Sequence, residues 1–318
     1  MEAADTLGKM LAKKQLLVLD GGMGILIFRA IGRDNKIWAL RSLSEEANHD
    51  KVVDAHQQFI AAGADVIITS NYSAVPMFVS QIEGGLERLV ELNATAGKLA
   101  RKAIDTFEFP AGEAHQILVA GSLPPLEGSF NPNSKMTAEE LEAAYEEIIL
   151  GLKEHVDFYI AETMGSIKEG LAAGRAIRKF DPEKKFFISW STDENGVIRS
   201  GECVQEAVRQ AEADEGAQAF GYMLNCGPPE KYVEMLAKMA LETEKPLGAY
   251  SNLLQADPGY TFPSPAGETP FDREISLDDF EKVNAAIAAS KNLRFLGGCC
   301  FTFPEHIERI AQISAKLH

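Results

Sequence analysis

Four cysteines stand unevenly along the 318 residues. Cys226 stands behind Asn225 at the end of an apolar run, Cys299 and Cys300 are neighbours behind Gly297-Gly298, and Cys203 stands apart. Clustered cysteines in a long chain of ordinary composition point to metal binding or catalysis more than to disulfides. Three thiolates suit zinc, whose catalytic sites take three protein ligands and keep a fourth position open. Cys226, Cys299 and Cys300 would supply the three if the chain bends sharply at the adjacent pair, and Gly297-Gly298 supports such a bend. The alternative is that Cys299 and Cys300 are small buried apolar residues. Cys203 begins a helix and reads as structural. The six histidines do not converge: His56 and His155 fall in helices, His49 and His115 in loops, His306 at the start of the last helix and His318 at the end. None is needed as a ligand.

Two carboxylates raise a second question. Glu162 follows the apolar run Phe158-Tyr159-Ile160-Ala161, and Asp20 closes the run that starts at Leu16. A carboxylate half-buried at such a place needs a cationic partner. That partner is either a protein Arg or Lys in a structural salt bridge, or the ammonium of an amino-acid substrate. Gly21-Gly22-Met23-Gly24 lacks both the GxGxxG and the GxxxxGK[ST] spacing, so it is weak as a phosphate loop. Gly297-Gly298 could hold a phosphate, but the cysteines beside it argue for metal.

These groups must be positioned by something, and the hydrophobic pattern supplies it. Short apolar runs alternate with amphipathic stretches, eight of each. The strands are expected at Leu16–Asp20, Asp65–Thr69, Ile117–Gly121, Asp157–Ala161, Phe186–Trp190, Ala219–Leu224, Pro246–Tyr250 and Arg294–Leu296. The helices are expected at about Asp50–Ala62, Leu86–Phe107, Ala138–His155, Ile167–Lys179, Val204–Glu215, from Pro229, Leu277–Ala289 and Pro304–Leu317. Thr137 with Glu140 makes a capping box before the third of these. The segment after the first strand reads as irregular and Gly-rich. The strands are continuous apolar runs, as a parallel sheet covered by helices requires. Eight βα units in a chain of this length predict a (β/α)8 TIM barrel of the α/β class, a single domain over 1–318. An open doubly wound sheet is the alternative. Barrel enzymes carry their chemistry at the C-terminal strand ends. There this sequence places Asp20-Gly21-Gly22, Thr69-Ser70-Asn71, Gly121-Ser122, Glu162-Thr163, Asn225-Cys226 and Gly297-Gly298-Cys299-Cys300. Gln255–Ser276, rich in Pro, Gly and acids, is expected to be a lid, a subunit contact or a mobile excursion.

The net charge of −16 makes nucleic acid and anionic membranes poor partners, since both need a basic face. No run approaches a membrane span, and Met1–Lys14 lacks the apolar core of a signal peptide, so a cytoplasmic protein is expected.

Taken together, Leu19-Asp20-Gly21-Gly22-Met23-Gly24, Glu162-Thr163, Asn225-Cys226 and Gly297-Gly298-Cys299-Cys300 with Pro304-Glu305-His306-Ile307 resemble the homocysteine S-methyltransferase family. That family includes the S-methylmethionine-dependent and betaine-dependent enzymes and the homocysteine half of cobalamin-dependent methionine synthase. The resemblance runs from the first strand to the last helix. It implies zinc on Cys226, Cys299 and Cys300, and Glu162 on the homocysteine amino group. It places Asp20 and Gly22 where the first strand end meets the substrate; Asn71 and Thr163, at neighbouring tips, join the expected substrate-binding set. The implied reaction is methyl transfer from a sulfonium or quaternary ammonium donor, S-methylmethionine favoured, to homocysteine, giving methionine. Small-molecule substrates and a possible homo-oligomer complete the expectation. Tyr72, Tyr260 or Phe301 could face the donor cation. Three departures bear on the donor: Phe301 stands where the family often has Gly after GGCC, Leu123–Phe130 differs from the Gly-Pro-Tyr version, and the loop after the seventh strand is longer and richer in Pro. The rival functions are methylation of another thiol or selenol, a zinc-containing binding protein without turnover, and a phosphate-binding aldolase or isomerase. The last would need a Lys or His at a strand tip.

Overall fold

The computed structural model describes residues 5–32, 34, 36–112, 115–255, 271–272 and 275–317. Eight parallel strands form one sheet: Leu17–Val18, Val66–Ile68, Leu118–Leu123, Phe158–Met164, Phe186–Ser191, Gly221–Asn225, Leu247–Ser251 and Leu293–Gly298. Each pairs with its sequence neighbour from the second to the eighth, and the eighth pairs with the first through Leu17↔Phe295 and Val18↔Leu296. The ring is a (β/α)8 barrel, and the open-sheet alternative falls.

The last seam is sewn differently from the rest. The first and second strands share one bridge, Leu19↔Val66. Main-chain bonds from Asp65 N to Val18 O (2.8 Å) and from Asp20 N to Val66 O (3.0 Å) flank it. Carboxylates then stand in for missing carbonyls: Val18 N donates to Asp65 Oδ2 (2.9 Å) and Ile68 N donates to Asp20 Oδ2 (2.8 Å).

Two apolar layers hold the barrel. Inside it, Leu17, Leu19, Val66, Leu118, Phe158, Ile160, Phe187, Met223 and Phe295 pack together, all fully buried. The helix Thr6–Lys13 plugs the N-terminal mouth, adding Leu7 and Met10 to this cluster. Outside it, alternate residues such as Tyr159 and Ala161 meet the helices. Strand four shows the two-residue period sending Phe158 and Ile160 inward and Tyr159 and Ala161 outward. Fully burying each such large side chain is worth roughly 1.5–3 kcal/mol.

The helices fall close to expectation: His49–Ala61, Leu89–Asp105, Ala138–Leu152, Ile167–Phe180, Val204–Ala213, Pro229–Met239, Leu277–Ala288 and Pro304–Ala315. The Thr137–Glu140 capping box is present in both directions. Three points are corrected. The segment after the first strand is not irregular throughout, since Met23–Ile31 is a helix entered through Gly22. His49 opens a helix rather than sitting in a loop, and His155 lies in a turn beyond Leu152. Most of Gln255–Ser276 lies outside the described residues, apart from an antiparallel ladder pairing Leu254–Gln255 with Phe271–Asp272. Among the described residues no helix is long and apolar enough to cross a membrane.

Candidate active site

The C-terminal strand ends enclose a cavity of about 140 Å³, more than a single water requires. Asp20, Gly22, Glu162, Cys226, Cys299 and Cys300 line it, and the aromatic rings of Phe28, Trp38, Tyr72, Phe130, Tyr250 and Phe301 form much of its wall. Asn71 and Thr163 stand behind the wall. Asn71 is fully buried and committed: its Nδ2 donates to Asn93 Oδ1 (2.7 Å) and Ser122 O (2.9 Å), and its Oδ1 accepts from Thr69 Oγ1 (2.6 Å). Tyr260 lies outside the described residues.

The three thiol-bearing tips converge. One ligand atom from each of Cys226, Cys299 and Cys300 lies within 4.8 Å of the others. In this structure Cys226 and Cys299 are bonded to each other as a disulfide, and Cys300 Sγ lies 3.8 Å from Cys226 Sγ. Their Cα atoms are 6.0 Å apart, within a disulfide's span. Burial and the nearby Glu162 push the Cys300 thiol up to about 12. Cys203 is exposed and unpaired at the start of its helix.

The bend that brings Cys299 and Cys300 inward is not made by the two glycines. Gly297 and Gly298 finish the eighth strand, and the reversal falls at Phe301, held at φ 61°. Thr302 closes the turn by donating from N (3.2 Å) and from Oγ1 (2.6 Å) to Cys299 O. The glycines serve close approach instead. A Cβ on Gly22 would stand 2.8 Å from Cys299 O and 3.0 Å from Thr302 O, so this strand tip must be bare to dock on the cysteine turn.

Left-handed backbone concentrates here. Of the six non-glycine residues at positive φ among the described residues, Trp38, Phe130, Cys226 and Phe301 line the cavity and Thr163 adjoins it. Such strain persists only where surrounding structure over-determines it. For Thr163 and Cys226 the clamp is Asn225. Its Oδ1 accepts from Thr163 N (2.9 Å) and Ser189 Oγ (2.7 Å), and its Nδ2 donates to Thr163 Oγ1 (2.7 Å). One buried amide ties the kink after Glu162 to the strand that ends in Cys226.

Asp20 and Glu162 are buried, and among the described residues no Lys or Arg lines the cavity or pairs with either carboxylate. Burial pushes Glu162 up to about 7, against the opposing pull of the Ser122 and Tyr250 hydroxyls. Ser122 Oγ donates to Glu162 Oε1. Burial also holds Asp20 well above the usual carboxylate range, moderated by the Ile68 amide and reinforced by the charge of Glu162. Among the described residues no cation neutralises either carboxylate.

Another buried carboxyl works behind the wall. Burial pushes Glu169, in the helix Ile167–Phe180, up to about 7. It accepts from Leu126 N (3.0 Å) and Tyr145 Oη (3.4 Å), and Tyr145 also donates to Pro124 O (3.1 Å). These bonds pin the segment after the third strand, whose Ser129 and Phe130 reach the cavity. Ser129 Oγ and Tyr72 Oη share a 2.6 Å hydrogen bond. The histidines stay away, and His56 is a core residue whose burial pushes it down to about 3. Trp38, Phe130 and Tyr250 were not singled out by the sequence. Trp38 was the most legible of them, one of only two tryptophans and placed just past the first strand tip.

Residues 17–314 match the family model for homocysteine S-methyltransferase. The chain belongs to the homocysteine S-methyltransferase family. It is a methyltransferase whose small-molecule substrates are homocysteine and a methyl donor. It is 28% identical over 314 residues to homocysteine S-methyltransferase YbgG of Bacillus subtilis, covering 95% of both chains. It is 27% identical over 321 residues to betaine-homocysteine S-methyltransferase of Drosophila melanogaster, covering 92% of both. The homocysteine methyltransferase MmuM of Escherichia coli shares the fold. Its metallated form superposes with a TM-score of 0.78 at 22% identity, over 96% of this chain and 99% of that one. Its oxidized form gives 0.78 at 23%, over 96% and 98%.

Proposed function

We propose that this chain acts as one homocysteine-binding barrel that uses zinc on Cys226, Cys299 and Cys300 to methylate homocysteine from an onium donor, S-methylmethionine favoured. The observation that carries this reading is the pairing of three convergent sulfurs with a buried, cation-free carboxylate in one cavity. The donor set fits zinc: three cysteine sulfurs gathered at neighbouring strand ends, with the cavity open beside them. Reduction of the Cys226–Cys299 pair by a thiol must precede metal loading, because a disulfide sulfur is no thiolate. Bound there, zinc supplies a Lewis acid that takes the acceptor sulfur as thiolate, a group otherwise mostly protonated at neutral pH.

Glu162 receives the acceptor's ammonium, and the Ser122 hydroxyl orients the carboxylate for that contact. Asp20 adds negative charge on the opposite side, and the bare Gly22 backbone lets substrate approach the first strand tip. Asn71 and Thr163 contribute as supports of the wall rather than as direct contacts. The faces of Trp38, Tyr72 and Phe28 suit a methylated cation, because an aromatic face attracts a cation within about 6 Å. Trp38 stands edge-on to both Tyr72 (5.5 Å) and Phe28 (5.2 Å), so the wall is preassembled. Sulfur, methyl and leaving atom must lie in line, which the cavity favours by setting the cysteine tips across from these rings.

The test is methionine formation by reduced, zinc-loaded protein from homocysteine with S-methylmethionine, S-adenosylmethionine or betaine, each with and without a strong chelator. Methionine from S-methylmethionine, lost on chelation, is the expected result. Undiminished turnover under chelation would remove zinc from the reading. Turnover with betaine alone would replace the donor and keep the site.

A further inference from the structure

Arg199 belongs to the turn-rich segment between the fifth strand and the helix Val204–Ala213, where Thr192 and Ile198 form a single antiparallel bridge. Its guanidinium carbon stands 4.5 Å from the centroid of the Phe130 ring. Phe130 is itself a wall of the cavity and is packed in one cluster with Cys226, Cys299 and Cys300. Arg199 Nε is buried and donates no hydrogen bond. Among the described residues the guanidinium makes no ion pair, and Asp193 and Glu194 on its own segment act on it only at longer range. Other half-buried arginines are matched: Arg101 with Asp157 (2.9 Å), Arg175 with Asp214 (2.7 Å) and Arg309 with Glu281 (2.9 Å). A part-buried cation without a partner is costly, and such a group is kept where something else supplies the missing charge.

The cavity has the opposite deficit. Asp20 and Glu162 line it, and among the described residues no Lys or Arg does. Those carboxylates attract an ammonium and repel a carboxylate, yet an amino-acid substrate carries both. Its carboxylate must turn away from Asp20 and Glu162, and the Phe130 side is where an unpaired positive charge stands. We propose that Arg199 is a carboxylate-binding subsite, reaching past the edge of Phe130 to grip the α-carboxylate of an amino-acid substrate. This inference rests on the function proposed above. The guanidinium fork suits a carboxylate because it can give two parallel N–H bonds. Leaving its present position breaks no ion pair, only the contact with one ring face. The α-carboxylate belongs either to the acceptor, homocysteine, or to an amino-acid donor such as S-methylmethionine.

Calorimetric titration of reduced, zinc-loaded wild type, R199M and R199K tests this with four ligands. They are homocysteine, its decarboxylated counterpart 3-aminopropane-1-thiol, S-methylmethionine, and decarboxylated S-methylmethionine. R199M keeps a side chain against Phe130, and R199K keeps the charge without the fork. The expected result is that R199M weakens one carboxylate-bearing ligand about tenfold or more, as loss of a charge-assisted pair predicts. Its decarboxylated counterpart is unaffected, R199K recovers part of the loss, and the ligand affected identifies whose carboxylate is held. Equal weakening of a ligand and its decarboxylated counterpart would overturn the subsite, as would no weakening of either. Failure of wild type to bind homocysteine at all would overturn the functional reading instead, and this inference with it; the two failures differ in the wild-type titration.

Discussion

The two ends of the barrel are built from the same strands and treat charge in opposite ways. At the N-terminal end the buried Asp65 and the half-buried Asp157 each meet a cation. Asp65 takes Lys14 at 2.7 Å, Asp157 takes Arg101 at 2.9 Å, and Arg294 gives its protons to the carbonyls of Leu11, Lys14 and Gln15. The helix Thr6–Lys13 caps that mouth with Leu7 and Met10 on a floor of phenylalanines. At the C-terminal end Asp20 and Glu162 are buried with no cation among the described residues, and the backbone is left-handed at five residues around the cavity. A barrel needs both ends to close its sheet, but only one needs to be satisfied in the absence of ligand. The contrast teaches that stability is invested at the plugged end and charge is left unbalanced at the open one.

Several changes would break or sharpen that contrast. The largest effect is expected from C226S or C300S. Loss of a metal-binding sulfur should exceed the roughly 10–100-fold typical of outer-shell changes, removing both bound zinc and methionine formation. Metal content by atomic emission and turnover on one preparation would show it. Full zinc and full activity in either variant would end the metal reading. Next comes N225A, which should cost about 10–100-fold in zinc affinity by releasing the clamp on Thr163 and Cys226, measured by chelator competition. N225D, which still accepts from Thr163 N but cannot donate to Thr163 Oγ1, should lose less.

E162Q should weaken homocysteine binding by about 1.5–3 kcal/mol, the worth of a hydrogen bond to a charged group. It should also change the pH profile. With Glu162 pushed up to about 7, wild-type affinity for an ammonium should rise with pH through that value, and E162Q should be flat there. The stability of the free protein runs the other way. The folded carboxyl holds a proton that the unfolded chain releases from about 4.5 upward, so Glu162 makes folding less favourable as pH rises from there through 7. A titration of Tm against pH in wild type and E162Q, showing no difference over that window, would contradict the burial argument. The smallest effect is F301G. Gly there relieves the left-handed backbone at φ 61° but removes a partly buried ring packed on the core, so the denaturant midpoint should move by no more than about 1 kcal/mol in either direction. Since Phe301 also lines the cavity, the same variant should alter which donor is accepted.

The barrel and the cysteine cluster were legible because both are written in local order. Apolar runs and their spacing announce strands, and polar residues directly after them announce the active rim. Family resemblance tied the tips together over the whole length. What stayed hidden depends on contacts distant in sequence. Nothing local marks Asn225 as the partner of Thr163, or Glu169 as the anchor of Leu126, since 62 and 43 residues separate them. Asn71 illustrates the reverse error: a polar tip residue reads as a substrate contact until its amide is seen to be spent on Asn93 and Ser122. Gly297-Gly298 reads as a bend, but the reversal needed only a left-handed Phe301, and the family's usual Gly at that place now has a backbone reason.

The seam between the first and second strands carries a consequence of its own. Its upper stitch is Ile68 N to Asp20 Oδ2, so one oxygen of a cavity carboxylate is also a structural fastener. Whatever occupies the cavity therefore tugs on the joint that closes the cylinder. The Ile68 amide becomes a resident gauge of occupancy: its exchange with deuterium should slow when a cation settles beside Asp20 and quicken in D20N, while amides on the far wall keep their pace. One carboxylate thus serves both the barrel's thinnest seam and its cavity.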